Sequence, residues 1–389
     1  MRPEDFQELA PGRVIKAIQG HWTFAPHPLP PQLHFSIEQI ARLSDADRAL
    51  GELAGVGRML PNPQLLIRPF ISREAVLSSQ IEGTLTKLDQ LLLFEAQPND
   101  IQHPADAEEV MNYVRAANFG LNAIRGGYPF SWSLVEEVHR ILMEGVRKGE
   151  KRPGQLRDRA VFLGHSGQSL EEARFVPTCH TQLRPLLDDF ILFLRDGREL
   201  PPIVQLALIH YQFETIHPFN DGNGRVGRLL ITLLLCERQI LPEPLLYLSA
   251  YFEQHRQEYY DHLLDVSRRG SWNEWIDFVA VGVAEQSRDA TLRSRRLLAM
   301  WQQYRQRASE VLRSTSALRI VDELFASPFL TIERAANIGQ VTRPAAQNSI
   351  NRLVEAGLLK EITGKRRYRV YVADEILQLL DAPLTPEAP

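Results

Sequence analysis

The sequence predicts an all-α core carrying one β-hairpin, followed by a C-terminal winged helix-turn-helix domain. Three observations predict it. Apolar residues recur at helical spacing from Ser36 to about residue 300. Residues 153–177 break that pattern with two short β-prone runs, RAVFLG and ARFVP, joined by a loop bearing Gly and Ser. From Ser316 the order is three helical patterns and then a hairpin, as in a winged helix-turn-helix.

Taken in order, residues 1–34 are Pro-rich, with PHPLPP at 26–31, and read as an extended lead-in packed on something else. Residues 36–57 form the first helix, opened by a Ser cap with a Glu soon after and closed by glycines. A second helix is expected from about Pro69 to Glu82, stopped by Gly83 at the position after the helix end. Ser78 and Glu82 lie one turn apart on one face, and a carboxylate in the last turn opposes the helix dipole unless a cation meets it. Three further helical runs fill residues 85–150: LTKLDQLLLFEA, AEEVMNYVRAANFGLNAIR, and SWSLVEEVHRILMEGV, opened by Ser131 or Ser133. His139, on the last, reads as a packed or solvated histidine rather than a ligand, and His165, at the tip of the hairpin, as solvated.

Beyond the hairpin, IVQLALIHYQFE and LLITLLL are buried helices on either side of a polar loop. The following run, LLYLSAYFEQHRQEYYDHLLDVSRRGSWNEWIDFVAVGVAEQ, is mostly core, its tryptophans included. Tyr259 and Tyr260 are adjacent and so cannot both face one pocket. Residues 286–315 make a basic amphipathic linking helix. In the final domain Gly339 sits in the tight turn and Gly364 in the hairpin turn. Arg343, Asn348 and Arg352 on the third helix, with Lys365, Arg366, Arg367 and Arg369 on the wing, compose either a DNA-binding face or a dimerisation or target-docking module.

Composition bounds the function. A chain of 389 residues, 44% hydrophobic and 24% charged, fits a soluble globular protein of two or three domains. Its formal charge of -4 gives no whole-chain case for nucleic-acid binding, so any such case is local. Cys179 and Cys236 lie far apart in sequence without metal-ligand spacing, so neither a disulfide framework nor a zinc site is suggested. There is no membrane-length apolar run, and the N-terminus MRPEDFQELAPGR lacks a signal-peptide core, so a cytoplasmic location is expected.

The chemistry concentrates in residues 216–228, IHPFNDGNGRVGR. Gly222-Asn223-Gly224 at the start of a helical run lets backbone N–H groups approach an anion, and the helix N-terminus adds partial positive charge. Arg225 and Arg228, three apart, are expected to share a face and grip phosphate oxygens with forked donors. Asp221 offers a hard oxygen suited to Mg²⁺, which binds through one or two carboxylates plus phosphates. His217, before the helix-ending Pro218, is a natural general base.

HPFNDGNGRVGR resembles the signature of the Fic family, HPFx[DE]GNGRxxR, at every fixed position. The resemblance implies a Fic-type helical core that transfers AMP from ATP to a protein hydroxyl, releasing pyrophosphate. It implies His217 as the base that deprotonates Ser, Thr or Tyr, and Asp221 as the Mg²⁺ ligand on the α- and β-phosphates. Asn223 with the Gly222 and Gly224 amides would position the α-phosphate, and Arg225 and Arg228 would bind the outer phosphates. Val226 and Gly227 fall within the same nucleotide-binding segment. SxxxEG at Ser78–Glu82 resembles the inhibitory motif [ST]xxxE[GN] of autoregulated members, in which the Glu pairs with the second arginine, here Arg228, and obstructs the γ-phosphate. There Ser78 would help orient Glu82. The family's flap lies over the site and registers the target by strand addition, and its YLSxY…YY pattern makes Tyr260 the purine contact.

The reading is therefore a self-inhibited protein adenylyltransferase using ATP and Mg²⁺ on hydroxyls of a flap-docked target, itself included, with a homodimer among its partners. Its alternatives are the same site removing AMP or transferring another nucleotide, and a nucleotide-sensing DNA-binding regulator. The expected domains are 1–100 with the inhibitory helix at 69–83, 101–300 with the flap at 157–177, a linker helix at 301–315, and 316–389.

Overall fold

The computed structural model describes residues 1–60, 62–97, 103–146, 152–163, 172–312 and 315–382. The Pro-rich lead-in is more ordered than expected. β1 (Gly12–Lys16) pairs antiparallel with β2 (Trp22–Pro26), Val14 opposite Phe24. The turn between them closes through Ala17 N–H to the His21 carbonyl (2.8 Å), with Gly20 at φ +92. Phe24 is the anchor. Its ring stacks on Phe6 (5.3 Å) and tilts against Phe175 (5.6 Å), and its N–H donates to the Val176 carbonyl (2.9 Å). Met1, Phe24, Ala173, Phe175, Val176 and Leu264 thus form a small second core beneath the flap.

α1 (Ile37–Met59) opens with a reciprocal capping box between Ser36 and Gln39 and continues through its glycines. α2 (Gln64–Ile81) starts well before Pro69, which lies inside it. A proline there forfeits one backbone bond, and the burial of Leu65, Leu66, Ile67, Phe70 and Ile71 across the same stretch outweighs that loss. Its end is as expected, with Glu82 as the cap and Gly83 at φ +94. α3 (Leu88–Ala96), α4 (Ala107–Arg125) and α5 (Trp132–Leu142) follow, and Ser131, not Ser133, caps α5 by accepting from Leu134 N–H (3.4 Å).

In the flap, Leu163 and Phe175 form an antiparallel bridge, with N–H to carbonyl distances of 2.9 and 3.4 Å. The tip, His165 included, lies outside the described residues. α6 (Leu183–Asp196), α7 (Pro202–Ile216), α8 (Asn223–Glu237), α9 (Ser249–Gln254) and α10 (Arg256–Arg269) follow the flap.

α11 (Trp272–Val311) is one uninterrupted helix of 40 residues. Residues 301–311 of the expected linker at 301–315 are its last turns, because neither Gly nor Pro follows Gly282 within it and it stays buried on one side from Trp272 to Ala308. The C-terminal elements are α12 (Thr315–Ala326), β3 (Phe329–Thr331), α13 (Ile332–Gly339), α14 (Arg343–Glu355), β4 (Lys360–Glu361), β5 (Val370–Val372) and α15 (Asp374–Asp381). The strands form an antiparallel sheet in the order β3-β5-β4. Gly364 takes φ +61 in the hairpin turn, as expected, but in the helix–helix turn the left-handed residue is Gln340 (φ 52), with Gly339 still in α13. A single apolar cluster runs from Leu43 to Leu380, and α2 lies within it, packed against α4, α9 and α12.

Candidate active site

α7 ends at a residue in an unusual conformation. His217 caps it at φ 51, ψ 62, a left-handed state that costs an L-residue about 1–3 kcal/mol. The last carbonyls of a helix lack partners within it, and here His217 supplies partners to two carbonyls of the last turn. Phe213 O accepts from His217 N–H (3.0 Å), and Glu214 O accepts from His217 Nδ1–H (3.2 Å). That second bond fixes the tautomer, leaving the Nε2 lone pair available to a proton. Burial first, then the Arg157 guanidinium, pull the His217 pKa down to about 4, against the opposing pull of Glu214, Glu82 and Asp221. The imidazole is neutral across the physiological range.

The loop that follows is tied from inside. Asn223 Oδ1 accepts from Phe219 N–H and its Nδ2 donates to the Phe219 carbonyl, both at 2.9 Å. The amide is buried and closes the loop with one bond to Oδ1 and one from Nδ2. Phe219 stacks on His139 (3.7 Å, 4°) and on Trp132 (5.6 Å). His139 is packed and also structural. Its Nε2–H donates to the Asp221 carbonyl (3.0 Å), while Nδ1 accepts from Gly154 N–H (2.9 Å). Burial lowers its pKa to about 4.

Gly222, at φ +79, precedes α8 and turns the chain into the helix N-terminus. Asp221 accepts Gly222 N–H on Oδ1 (2.7 Å), and its side chain is 44% exposed at the loop mouth. Val226, by contrast, is wholly buried among apolar residues, so its side chain faces the core rather than a ligand. Gly227 faces α7: a Cβ there would strike the Glu214 carboxylate.

The two arginines part company. Arg225 is buried, salt-bridged to Glu109 of α4 and 3.8 Å from Asp221. Arg228 turns to α2, donating from Nε to Ser78 Oγ (2.9 Å) and from Nη2 to the Ser78 carbonyl (2.8 Å) and Glu82 Oε1 (2.7 Å). The shared face expected from their spacing is corrected, because each guanidinium follows the carboxylate of a different neighbouring helix. Ser78 likewise holds Arg228, not Glu82. Burial works against the Arg228 charge, but Glu82, ahead of Tyr259, Glu214 and Tyr260, more than offsets it and keeps its pKa above the usual value. The Glu82 carboxylate lies directly over the backbone of Gly224, where an added Cβ would collide with Oε1 and come within 2.9 Å of Arg228 Nη1. The space above the helix N-terminus is thus filled by an anion belonging to α2.

Tyr259 is buried with its hydroxyl 2.8 Å from His210 Nε2, whereas Tyr260 is 37% exposed, its hydroxyl within the fields of Glu82 and Arg228. Two buried carboxylates that sequence reasoning missed flank the arginine. Burial raises Glu214 to about 8 against the pull of Arg228. Burial raises Glu74 to about 7 against Ser249, Arg228 and Tyr113. Arg157 was missed as well, since nothing in PGQLRDRA distinguishes a buried arginine from an exposed one.

The C-terminal basic residues are also divided. Arg352 donates to the Val311 carbonyl (3.1 Å) and so caps α11, which corrects its place on a free recognition face. Arg343 pairs with Glu333 (3.0 Å) and Arg369 Nε donates to the Lys365 carbonyl (2.9 Å). Residues 365–369 are all exposed.

A helical core built around a left-handed histidine and a glycine-led helix N-terminus, with the Glu82 cap of a second helix apposed to it, defines a Fic-fold protein. Residues 40–122 match the Fic/DOC family N-terminal region and residues 129–235 the Fic/DOC family domain; the chain belongs to the Fic/DOC family. A probable protein adenylyltransferase of Aquifex aeolicus (strain VF5) is 27% identical over 184 residues, 46% of this chain and 53% of that protein. Protein adenylyltransferase Fic of Aedes aegypti is 32% identical over 148 residues, 38% of this chain and 26% of that one. The chain thus spans about half or less of the length of these relatives. Among solved structures, a Fic family protein from Desulfovibrio desulfuricans G20 shares the fold with a TM-score of 0.56 at 18% identity, covering 89% of this chain and 98% of that one.

Proposed function

We propose that the chain is a self-inhibited protein adenylyltransferase, moving AMP from ATP to a Ser, Thr or Tyr hydroxyl. The observation that carries this reading is the Glu82 carboxylate seated over Gly224 and paired with Arg228 at 2.7 Å. An anion held there by α2 marks the position of an anion to be bound when α2 yields. The names of the relatives, protein adenylyltransferases, supply the class of reaction.

In this mechanism the Nε2 lone pair of His217 takes the target hydroxyl proton as the hydroxyl oxygen bonds to the α-phosphorus. The bond from that phosphorus to the bridging oxygen of the outer phosphates breaks, and pyrophosphate leaves with the electron pair. The Gly222–Gly224 backbone at the α8 N-terminus faces the phosphate charge. Arg228, freed from Glu82, binds an outer phosphate; Arg225 can do so only by yielding Glu109. Tyr260, 37% exposed, is assigned to stack its aromatic face on the base. Asp221, its side chain 44% exposed at the loop mouth, would hold Mg²⁺ together with phosphate oxygens, and the ion would supply charge neutralisation on the phosphates. The target docks on the flap at 157–177 by strand addition.

Intact-mass spectrometry after incubation with Mg²⁺ and ATP tests the reading on wild type, Glu82→Gly and Glu82→Gly/His217→Ala. The expected result is an AMP-sized gain in Glu82→Gly, a weak one in wild type and none in the double variant. No gain in Glu82→Gly with ATP, with other nucleoside triphosphates or with added target overturns it.

A second reading has its own observation. Residues 365–369, KRRYR, are exposed together on the C-terminal hairpin and carry four cations beside Tyr368, 82% exposed. This favours a winged helix-turn-helix that contacts duplex DNA through its wing. Arg367→Glu/Arg369→Glu should then abolish a salt-dependent association with duplex DNA; an unchanged affinity sinks it.

A further inference from the structure

Arg157 is a buried arginine, 3% exposed, and among the described residues its hydrogen bonds go to backbone carbonyls. Its Nε donates to the His217 carbonyl (2.8 Å) and its Nη2 to the carbonyls of Ile216 (3.4 Å) and Thr178. Nη1 donates to the Arg159 carbonyl (3.3 Å), and its own backbone N–H donates to the Pro218 carbonyl (2.9 Å). A charge removed from water without a carboxylate partner is costly. It is tolerated here because Ile216 and His217 O are the last carbonyls of α7, the negative end of the helix dipole. Burial brings the Arg157 pKa down to about 10, so it stays charged at neutral pH.

The placement links two structures that the reaction needs in register. Thr178 and Arg159 belong to the two arms at the base of the flap, where the target is to dock; Ile216, His217 and Pro218 carry the base. A planar fork spanning both fixes the backbone of a histidine held in a strained left-handed state.

We infer that Arg157 is the positioning residue of this site. It locks the His217 backbone to the base of the flap, so that the Nε2 lone pair meets a hydroxyl presented by the flap. The inference rests on the adenylyltransferase reading for its kinetic consequence, but not for its physical one. Lysine, with three donors on one nitrogen and no fork, cannot reach the acceptors on both sides. Methionine removes the charge as well.

The experiment places Arg157→Lys and Arg157→Met in the Glu82→Gly background and reads two quantities. In AMP transfer, kcat falls about 10- to 100-fold while KM for ATP stays within about twofold, because the base and not the nucleotide site is displaced. In proteins labelled at histidine Cε1, NMR titration moves His217 upward in Arg157→Met, since a facing cation is lost while Glu214, Glu82 and Asp221 remain. Arg157→Lys keeps the charge and moves that titration little, yet loses rate, which separates geometry from charge. A risen KM with unchanged kcat, or an unmoved His217 titration in a folded Arg157→Met protein, overturns the assignment. If Glu82→Gly itself transfers no AMP, the functional reading fails, and the titration still decides the link between Arg157 and His217. Should Arg157→Met not fold, the kcat and KM of Arg157→Lys decide it alone.

Discussion

At the scale of single residues, the site is held by neutral groups whose protonation would break it. Nδ1 of His139 accepts Gly154 N–H, so a proton there would set two donors against each other. Its folded pKa is about 4 against an ordinary 6.5. Between those values the unfolded chain takes up a proton that the folded chain refuses. The stabilising contribution is therefore complete above about pH 6.5 and lost as pH falls toward 4. His217 (about 4) and His210 (about 3) shift in the same direction, both chiefly through burial. Thermal unfolding across pH should show the midpoint dropping through that window. His139→Gln, which preserves one acceptor and one donor without a titrating proton, should flatten the slope; an equal slope in both proteins would refute this account. Ser78 is the second residue-scale case. Ser78→Ala removes the acceptor of Arg228 Nε and leaves a buried charged donor unpaired, a cost on the order of 1–3 kcal/mol. The expected AMP transfer is above wild type and below Glu82→Gly, because Arg228 is then less firmly held on α2.

At the scale of elements, the N-terminus of α8 depends on its glycines for two different reasons. Gly222 needs its left-handed φ of +79, and a Cβ there would also press within 2.7 Å of Met143 Sδ. Gly222→Ala should lower stability by about 1–3 kcal/mol, read as a shift in denaturant midpoint at constant slope. Gly224 has no such backbone demand, and what its Cβ would meet is the Glu82 carboxylate and Arg228. Gly224→Ala should therefore affect the α2–α8 contact more than the helix itself. In that variant the amides of residues 78–82 should exchange faster while those of the α8 interior keep their protection.

At the scale of the whole molecule, α2 is clasped from both sides. Its inner face meets Arg228 through Ser78 and Glu82, while its outer face meets the C-terminal elements. Arg68 binds Glu95 of α3 and Glu323 of α12 (3.1 Å), and Glu323 also takes Arg334 of α13 (2.7 Å). Arg73 reaches Asp289 of α11 (3.7 Å), which in turn holds Arg293, the donor to the Leu379, Leu380 and Ala382 carbonyls at the end of α15. Glu323→Ala strips two arginines of a shared carboxylate. It should cost on the order of 1 kcal/mol and speed amide exchange through the first half of α2. Unchanged exchange there would mean that apolar packing alone holds α2 to α12.

How much of this was legible in the chain depends on the range of the interaction. Helix periodicity, the Ser36 cap, the Gly83 stop and the His217–Arg228 motif are local patterns, set by neighbours within a turn or two, and the sequence by itself determined them; the choice of Ser131 over Ser133 fell to the structure. It also marked Ser78 and Glu82 as a pair on one face, because a carboxylate in a last turn calls for a cation. The resemblance already named Arg228 as the cation for Glu82, and the structure has that pair at 2.7 Å; only tertiary structure decided the partner of Arg225. Arg225 went to Glu109 and Arg228 to Glu82, although their spacing is the same as that of any pair sharing a helix face. Asn223 turned inward to close its own loop, Arg352 became a helix cap, and Pro69 was carried inside a helix by the burial around it. Arg157, indistinguishable in sequence from the solvated Arg159 two positions on, became the fork beneath the flap. Charge and hydrogen-bonding partners are chosen by what folding brings within about 3 Å, and no periodicity along the chain encodes that choice.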